Sequence, residues 1–299
     1  MERRLGRDLR KEMTARNIIP FIGVYDVFSA TLAAKHFDAL FISGFGFAAS
    51  HYGLPDIGFI GWPDIVAFVQ RVRTVLPSHH ILVDIDDGYA DIEVAAHVVS
   101  LLESSGASGV VLEDQERPRR CGHFDGKQLM GLDEYIVKLK RVLAARRDMI
   151  VIARTDASEP EEIRRRAEAF ALAGADAILI DGLRDLALIK GLSDSLDLPF
   201  TFNQIAGGKS PIFSLTELSE AGVSLVIYST PCLFAAQRAI EEAIKSLRES
   251  DGSLSCMTGP GVMECTAVLN ENLARRHNRM RDLSIATDDK ASLAQSRRR

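Results

Sequence analysis

The chain is expected to fold as one (β/α)8 barrel, and three observations in its 299 residues predict this. Short, continuously apolar runs recur eight times, at Ile18–Val24, Ala39–Ile42, His80–Asp84, Gly109–Leu112, Ile150–Ala153, Ala177–Ile180, Phe200–Phe202 and Leu225–Ile227. Segments of helical period separate them, such as Ile92–Ser104, Glu134–Arg146, Glu161–Ala173 and Ser214–Ala221. Polar residues follow the runs: Tyr25-Asp26, Ser43-Gly44, Asp84-Ile85-Asp86, Glu113-Asp114, Arg154-Thr155-Asp156, Asp181, Asn203 and Tyr228.

Each observation has a physical reading. A strand that is apolar at every position is buried on both faces, as in a parallel sheet covered by helices. Strict alternation of strands and helices builds α/β units and no separate all-β block. Glycine closes several helices, as at Gly106 and Gly174, where a left-handed C-terminal residue is needed. Polar groups gathered past the strand ends are the mark of a barrel whose chemistry sits at the C-terminal mouth. A doubly wound sheet is disfavoured because no G-x-G-x-x-G follows the first run.

Phe234–Arg248 reads as the eighth helix, so residues 1–248 are expected to form the barrel. Residues 249–299 then form an extension: a Ser/Gly/Pro-rich break at Gly252–Gly261, a helical stretch near Val262–Arg276, and a polar terminus. The last fifteen or so residues are expected to be disordered, and the helical stretch to pack outside the barrel on another subunit.

The net charge of −5 argues against nucleic acid as the main partner. Met1–Lys11 holds five basic residues and the chain ends Arg297-Arg298-Arg299; both are read as solvated tails. No apolar run has membrane-spanning length, and no apolar segment follows the charged start. The four cysteines, Cys121, Cys232, Cys256 and Cys265, form no C-x-x-C pair, which points to free thiols in a reducing, cytoplasmic setting.

Two clusters carry chemistry. Asp84 and Asp86 flank Ile85 and so point to one side, Glu113 and Asp114 close the next strand, and Asp56 sits in a Gly-Leu-Pro-Asp turn. Oxygen ligands without a His or Cys set suit Mg²⁺, or Mn²⁺, and most of these acids would act through water. The bland alternative is that such acids cap the following helices. The second cluster is Arg119-Arg120-Cys121-Gly122-His123, too polar and glycine-interrupted for a strand. Arginines and a histidine beside Cys121 favour a thiol that trades protons near neutral pH, against the alternative of a lone surface cysteine. Arg154 reads either as a bidentate carboxylate or phosphate clamp or as an internal salt bridge with a mouth carboxylate. Ser43-Gly44-Phe45-Gly46 offers backbone N–H groups to an oxyanion.

These motifs, with Ile152-Ala153-Arg154-Thr155-Asp156-Ala157, occur in the same order in the isocitrate lyase/phosphoenolpyruvate mutase superfamily, which the chain resembles from about Pro20 to Arg248. The resemblance implies Mg²⁺ held by Asp84, with Asp56, Asp86 and Glu113 mostly through water. It also implies a helix-swapped homo-oligomer. The Cys-Gly-His loop is similar to that of lyases that cleave a C–C bond of a small 2-hydroxy or 2-oxo dicarboxylate. By that resemblance Cys121 protonates the released enolate fragment, with Arg119, His123 and Asp181 completing the catalytic set. Ser43, Gly44, Phe45, Gly122, Arg154, Asn203 and Tyr25 would bind substrate. Alternatives are a P–C mutase or phosphonate hydrolase on the same site, and a barrel without activity. The lyases carry Lys where this chain has Arg119, and Glu where it has Asp181. Their Asn-x-x-Glu reads Asn203-Gln204-Ile205-Ala206 here, and their Gly-Tyr-Gly reads Gly88-Tyr89-Ala90. These changes point to a specialised substrate.

Overall fold

A computed structural model describes residues 4–15, 18–89, 91–122, 126–254 and 259–278. Eight parallel strands close into a barrel in sequence order: β1 (Ile19–Val24), β2 (Ala39–Ile42), β3 (His80–Asp84), β4 (Gly109–Glu113), β5 (Ile150–Thr155), β6 (Ala177–Ile180), β7 (Phe200–Gln204) and β8 (Val223–Tyr228). β8 pairs with β1 through Leu225 opposite Ile19 and Ile227 opposite Phe21. Around the barrel run α2 (Val27–Ala33), α3 (Gly44–Phe47), α4 (Trp62–Val75), α5 (Ile92–Ser105), α6 (Leu132–Ala145), α7 (Pro160–Ala173), α8 (Leu186–Leu196), α9 (Leu215–Glu220) and α10 (Pro231–Glu249), with α1 (Leu5–Ala15) before β1. The expected (β/α)8 architecture is present.

Several strands run further than their apolar stretches. β4, β5 and β7 continue through Glu113, Arg154-Thr155 and Asn203-Gln204 because those polar side chains are still members of the ladder. The turn after β2 was not anticipated: α3 leads directly into a π-helical turn at Ala48–Tyr52.

The core has two shells. Inside the barrel, Phe21, Phe41, Leu82, Val111, Ile152, Leu179, Leu225 and Ile227 pack on one another. The residues that alternate with them, among them Ile22, Ile42, Val83, Val110, Ala153 and Ile178, face the helices. This is the period of two expected of a strand, hidden within runs that are apolar throughout.

The N-terminal segment corrects one expectation. Residues 4–15 do not form a solvated tail; α1 lies across the N-terminal end of the barrel, and Leu9 and Met13 join the interior cluster. Leu5, Leu9 and Met13 recur every four residues, so they share one helix face despite the surrounding arginines. Gly6 lets the helix approach, since a Cβ there would collide with the Asp148 backbone. Arg10 ties it down through Asp176 (2.8 Å) and the Asp148 carbonyl (2.6 Å).

At the other end, α10 has no buried residue along its 19-residue length, and Phe234, Ile240 and Ile244 are exposed. Residues 262–278 are helical; Val268 is buried, and Asn272 reaches the barrel shell by donating to Thr31 Oγ1 at 2.9 Å. The terminus expected to be disordered lies outside the described residues. Among the described residues no helix is long and apolar enough to cross a membrane.

Candidate active site

The inward register of the strands places the functional side chains. Two positions beyond the interior residues Phe41, Val111, Leu179 and Ile227 come Ser43, Glu113, Asp181 and Ser229. On the odd strands, two positions beyond Leu82, Ile152 and Thr201, come Asp84, Arg154 and Asn203. Alternate strands contribute alternate layers, as barrel geometry requires. A cavity of about 30 Å³ lies above the apolar floor, lined by Ser43, Phe45, Asp56, Asp84, Asn203 and Ser229, with Arg154 and Asp181 on one wall and Cys121-Gly122 above.

On the β2–β4 side four carboxylates gather. A Cβ placed on Gly44 would sit 3.2 Å from Asp84 Oδ2, 3.3 Å from Asp86 Oδ1 and 3.7 Å from Asp56 Oδ1, so three carboxylate oxygens converge on this glycine. Loss of hydration on burial pushes the Asp84 carboxyl up and the Asp86 carboxyl well up; neighbouring acids add to the rise and Arg119 opposes it. Asp86 also holds a left-handed backbone, φ 50°. Such a conformation costs an aspartate about 1–3 kcal/mol and clusters at functional sites.

Arg119 answers much of this charge. Its guanidinium is buried and reaches Asp56 (2.5 Å), Glu113 (2.8 Å) and Asp86 (3.1 Å). Burial works against its charge, but the three carboxylates outweigh it and hold the group protonated. Asp86 Oδ1 faces the guanidinium at that 3.1 Å without a well-aligned hydrogen bond, although it is buried. With Asp84 Oδ2 and Asp56 Oδ1 also converging beside Gly44, the buried acids present a set of hard oxygen donors that suits a divalent cation. Among the described residues no three His, Cys, Asp or Glu side chains form a ready-made metal cage. Magnesium does not need one, since it takes one or two carboxylates and keeps waters.

Arg154 fulfils one of its two readings. Its Nη2 lies 2.8 Å from Asp181, 3.1 Å from Asp156 and 3.3 Å from Glu113, and Nε also donates to Asp156 at 3.2 Å. It is an internal ion-pair hub that also lines the cavity. Asp181 is oriented further by Asn203 Nδ2 (3.0 Å), whose own carbonyl accepts from Ser229 (2.7 Å).

The Cys121 loop is pressed onto this hub. Gln115 brackets Arg120, donating to its carbonyl (2.7 Å) and accepting from its amide (2.8 Å). Lys127 bridges the Gly122 carbonyl (2.5 Å) and Asp156 (2.9 Å). Gly122 itself leaves no room for a side chain: a Cβ would meet Arg154 Nη2 at 2.5 Å and Asp156 Oδ1 at 2.7 Å, and would overlap Asp181. Gly122→Ala is therefore expected to lift the loop and lower kcat/KM by roughly 10²-fold, the scale of a 1 Å misplacement. Faster alkylation of Cys121 by iodoacetamide would accompany it; unchanged kinetics and alkylation would show that the loop tolerates the methyl group.

Of the residues expected from sequence, Ser43, Phe45, Asp56, Asp84, Cys121, Gly122, Arg154, Asp181 and Asn203 meet around the cavity. Gly44 lies behind it against the acids, and Asp86 and Glu113 are buried beneath with Arg119. Arg119 is thus removed from the position of a loop proton carrier. Tyr25 stands aside: its Cβ packs towards Gly46 and its carbonyl accepts from Ser50, and it does not line the cavity. Asp114 faces the helices, bound to Arg166 at 2.9 Å. His123 and Ala90 lie outside the described residues. Gln115, Lys127 and Ser229 were not singled out, and Asp156 was read only as one of the polar residues beyond its strand. Their roles depend on partners brought together by barrel closure; Asp156, two residues beyond Arg154, and Ser229, two residues beyond Ile227, had a local signal.

The geometry can be set beside known proteins. Residues 9–248 match the family described as phosphoenolpyruvate phosphomutase. The chain belongs to this family. It is an enzyme of the isocitrate lyase/phosphoenolpyruvate mutase superfamily, and its relatives include named lyases. It is 33% identical over 251 residues to 2-methylisocitrate lyase of Bacillus subtilis (strain 168), covering 82% of each chain. The crystal structure of 2,3-dimethylmalate lyase superposes with a TM-score of 0.83 at 29% identity, over 96% of this chain and 95% of that one. A phosphonopyruvate hydrolase in complex with oxalate and Mg²⁺ superposes at 0.79 and 25% identity, over 94% and 98%.

Proposed function

We propose that this enzyme cleaves a C–C bond of a small 2-hydroxy or 2-oxo dicarboxylate, with Cys121 as proton donor to the released fragment. The observation that carries this reading is that Cys121, Arg154, Asp84 and Ser43 line one small cavity. Arg154 and the first-turn N–H groups of Gly44 and Phe45, which a helix start leaves without intrahelical partners, would hold the oxo-acid. Ser43 already caps Gly46 at 3.3 Å, which fixes the turn. Asp181, held between Arg154 and Asn203, would orient the distal end. Cleavage leaves an electron pair on carbon, and the Cys121 thiol above the cavity supplies the proton that ends the step.

The residues fit a divalent ion. Asp84 and Asp86 would hold Mg²⁺, with Asp56 and Glu113 acting through water. The ion would supply stabilisation of the negative charge that develops on the oxo-acid oxygen. Burial pushes Glu113 up to about 7, with Asp156 adding to the rise and Arg119 and Arg154 opposing it. Below that pH the carboxyl is protonated and cannot attract a cation; above it the charge is present. Mg²⁺ affinity should therefore rise as pH increases through about 7. Binding near that pH should release protons, seen by calorimetry in two buffers of different ionisation enthalpy. Equal heats in both buffers would remove Glu113 from the metal's environment.

The functional test is turnover with Mg²⁺ on 2-methylisocitrate, 2,3-dimethylmalate and oxaloacetate, with phosphonopyruvate followed in parallel by ³¹P NMR. Cleavage of a dicarboxylate supports the lyase reading. Turnover of the phosphonate alone transfers the assignment to P–C chemistry, and no Mg²⁺-dependent oxalate binding at all leaves a barrel without activity.

We also propose that residues 1–248 are the catalytic barrel and 249–299 an extension that joins subunits. Support for assembly comes from α10, the barrel's last helix at the junction with the extension, whose apolar residues Phe234, Ile240 and Ile244 lack cover in a single chain. Sedimentation is expected to give a dimer or tetramer, and Ile240→Asp with Ile244→Asp to shift it to monomer. A wild-type monomer would refute the assembly.

A further inference from the structure

The central cavity is small, about 30 Å³, yet a second cavity of about 770 Å³ opens on the other side of the same wall. Asp181 lines both, and a Cβ on Gly182 would come within 3.6 Å of the Gly122 carbonyl. Among the described residues, the wall between the cavity under Cys121 and this larger space includes the Gly122 backbone, Asp181, and Asp156 with its partner Lys127. Its volume falls in the range of small-molecule sites.

The lining of this second cavity is amphipathic. Leu129, Ile163, Leu183 and Leu188 provide apolar surface, while Lys127, Arg164, Arg184 and Lys209 contribute cations. Its acids are already engaged. Asp156 and Asp181 pair with Arg154, Asp156 also with Lys127, and Asp185 caps α8 by accepting from Ala187 at 2.8 Å. Neither Arg164 nor Arg184 pairs with a carboxylate among the described residues. Arg184 is instead directed along the Lys209 backbone, donating to its carbonyl at 3.2 Å. The unspent charge at this wall is positive.

We propose that this cavity is the subsite for the distal arm of the substrate, and that the arm is an apolar chain ending in an oxyanion. The inference rests on the oxo-acid reading of the central site and names what that reading leaves open. The reacting end, a 2-oxo or 2-hydroxy acid, sits under Cys121. Gly122 as placed admits not even a methyl group, so the arm requires the Gly122 backbone to part from Asp181 and Gly182. It then runs over Leu183 and Leu188, and its terminal carboxylate or phosphate meets Arg164 and Arg184. Arginine suits such a terminus because its planar fork binds either oxyanion through two N–H groups.

Calorimetry on the Mg²⁺-saturated full chain tests this with defined probes: oxalate, then 2-oxoglutarate, 2-oxoadipate and 2-oxopimelate, whose carboxylate arm grows by one methylene at a time. A 2-oxo acid carrying a terminal phosphonate on the best arm length separates the two oxyanions. Affinity is expected to rise about 10-fold or more at the length that reaches the arginines, the scale of one charge-assisted contact. The double variant Arg164→Gln/Arg184→Gln, changed at two exposed positions, should abolish that gain and leave oxalate affinity within about twofold. A flat series with oxalate still bound, or an equal loss for oxalate and the long acids, overturns the subsite alone. Failure of oxalate itself to bind overturns the oxo-acid reading, and the subsite with it.

Discussion

Arg154→Met is expected to lower stability and abolish turnover together. The substitution leaves Glu113, Asp156 and Asp181 buried around a neutral side chain, and all three lie within 3.3 Å of the guanidinium they would lose. Removing one partner of a buried ion pair costs about 3–5 kcal/mol, because the remaining charge stays desolvated. That is a large part of the about 5–15 kcal/mol that holds a domain folded. Loss of the oxyanion donor should independently lower kcat/KM by about 10²–10³-fold or more. Arg154→Lys separates the two effects, since it keeps the charge but not the fork. It should unfold close to the wild-type temperature and still turn over poorly. A lysine variant with full activity would reduce Arg154 to a structural ion pair.

Cys121→Ser should have the converse profile. The residue is partly exposed and its replacement nearly isosteric, so the unfolding temperature should hold. A serine hydroxyl is a far weaker acid than a thiol, so a step that needs a proton from this position should slow by about 10²–10⁴-fold. Oxalate binding in the presence of Mg²⁺ should be unchanged, because the binding groups lie in the barrel wall and not on the thiol. Full turnover by the serine variant would assign the proton to another group.

The fold was legible because the strands announce themselves twice. Runs such as Ala39–Ile42 and Ala177–Ile180 are apolar at every position, and their ends coincide with the observed strands. The mouth residues were legible for the same reason, since Asp84, Arg154 and Asn203 continue the inward register of Leu82, Ile152 and Thr201. What sequence could not convey was burial produced by distant partners. Arg119 stands beside a second arginine and a cysteine and reads as loop surface. It is buried because Asp56, 63 positions earlier, is folded against it. The pairing of Lys127 with Asp156 spans 29 positions and has no local signature either. At the N-terminus the opposite error arose: the basic residues drew attention from Leu5, Leu9 and Met13, whose spacing marks a buried face.

That N-terminal helix has a consequence for traffic through the molecule. With Leu9 and Met13 seated in the base of the barrel, the apolar column from Phe21 up to Ile227 is buried and covered from below. Among the described residues, the cavity under Cys121 then has the mouth of the barrel as its doorway. Any proton that Cys121 gives away must be replenished through that same doorway. With Cys121 as the proposed acid, the departure of product and the recharging of the thiol share that doorway, which ties the two events to one clock.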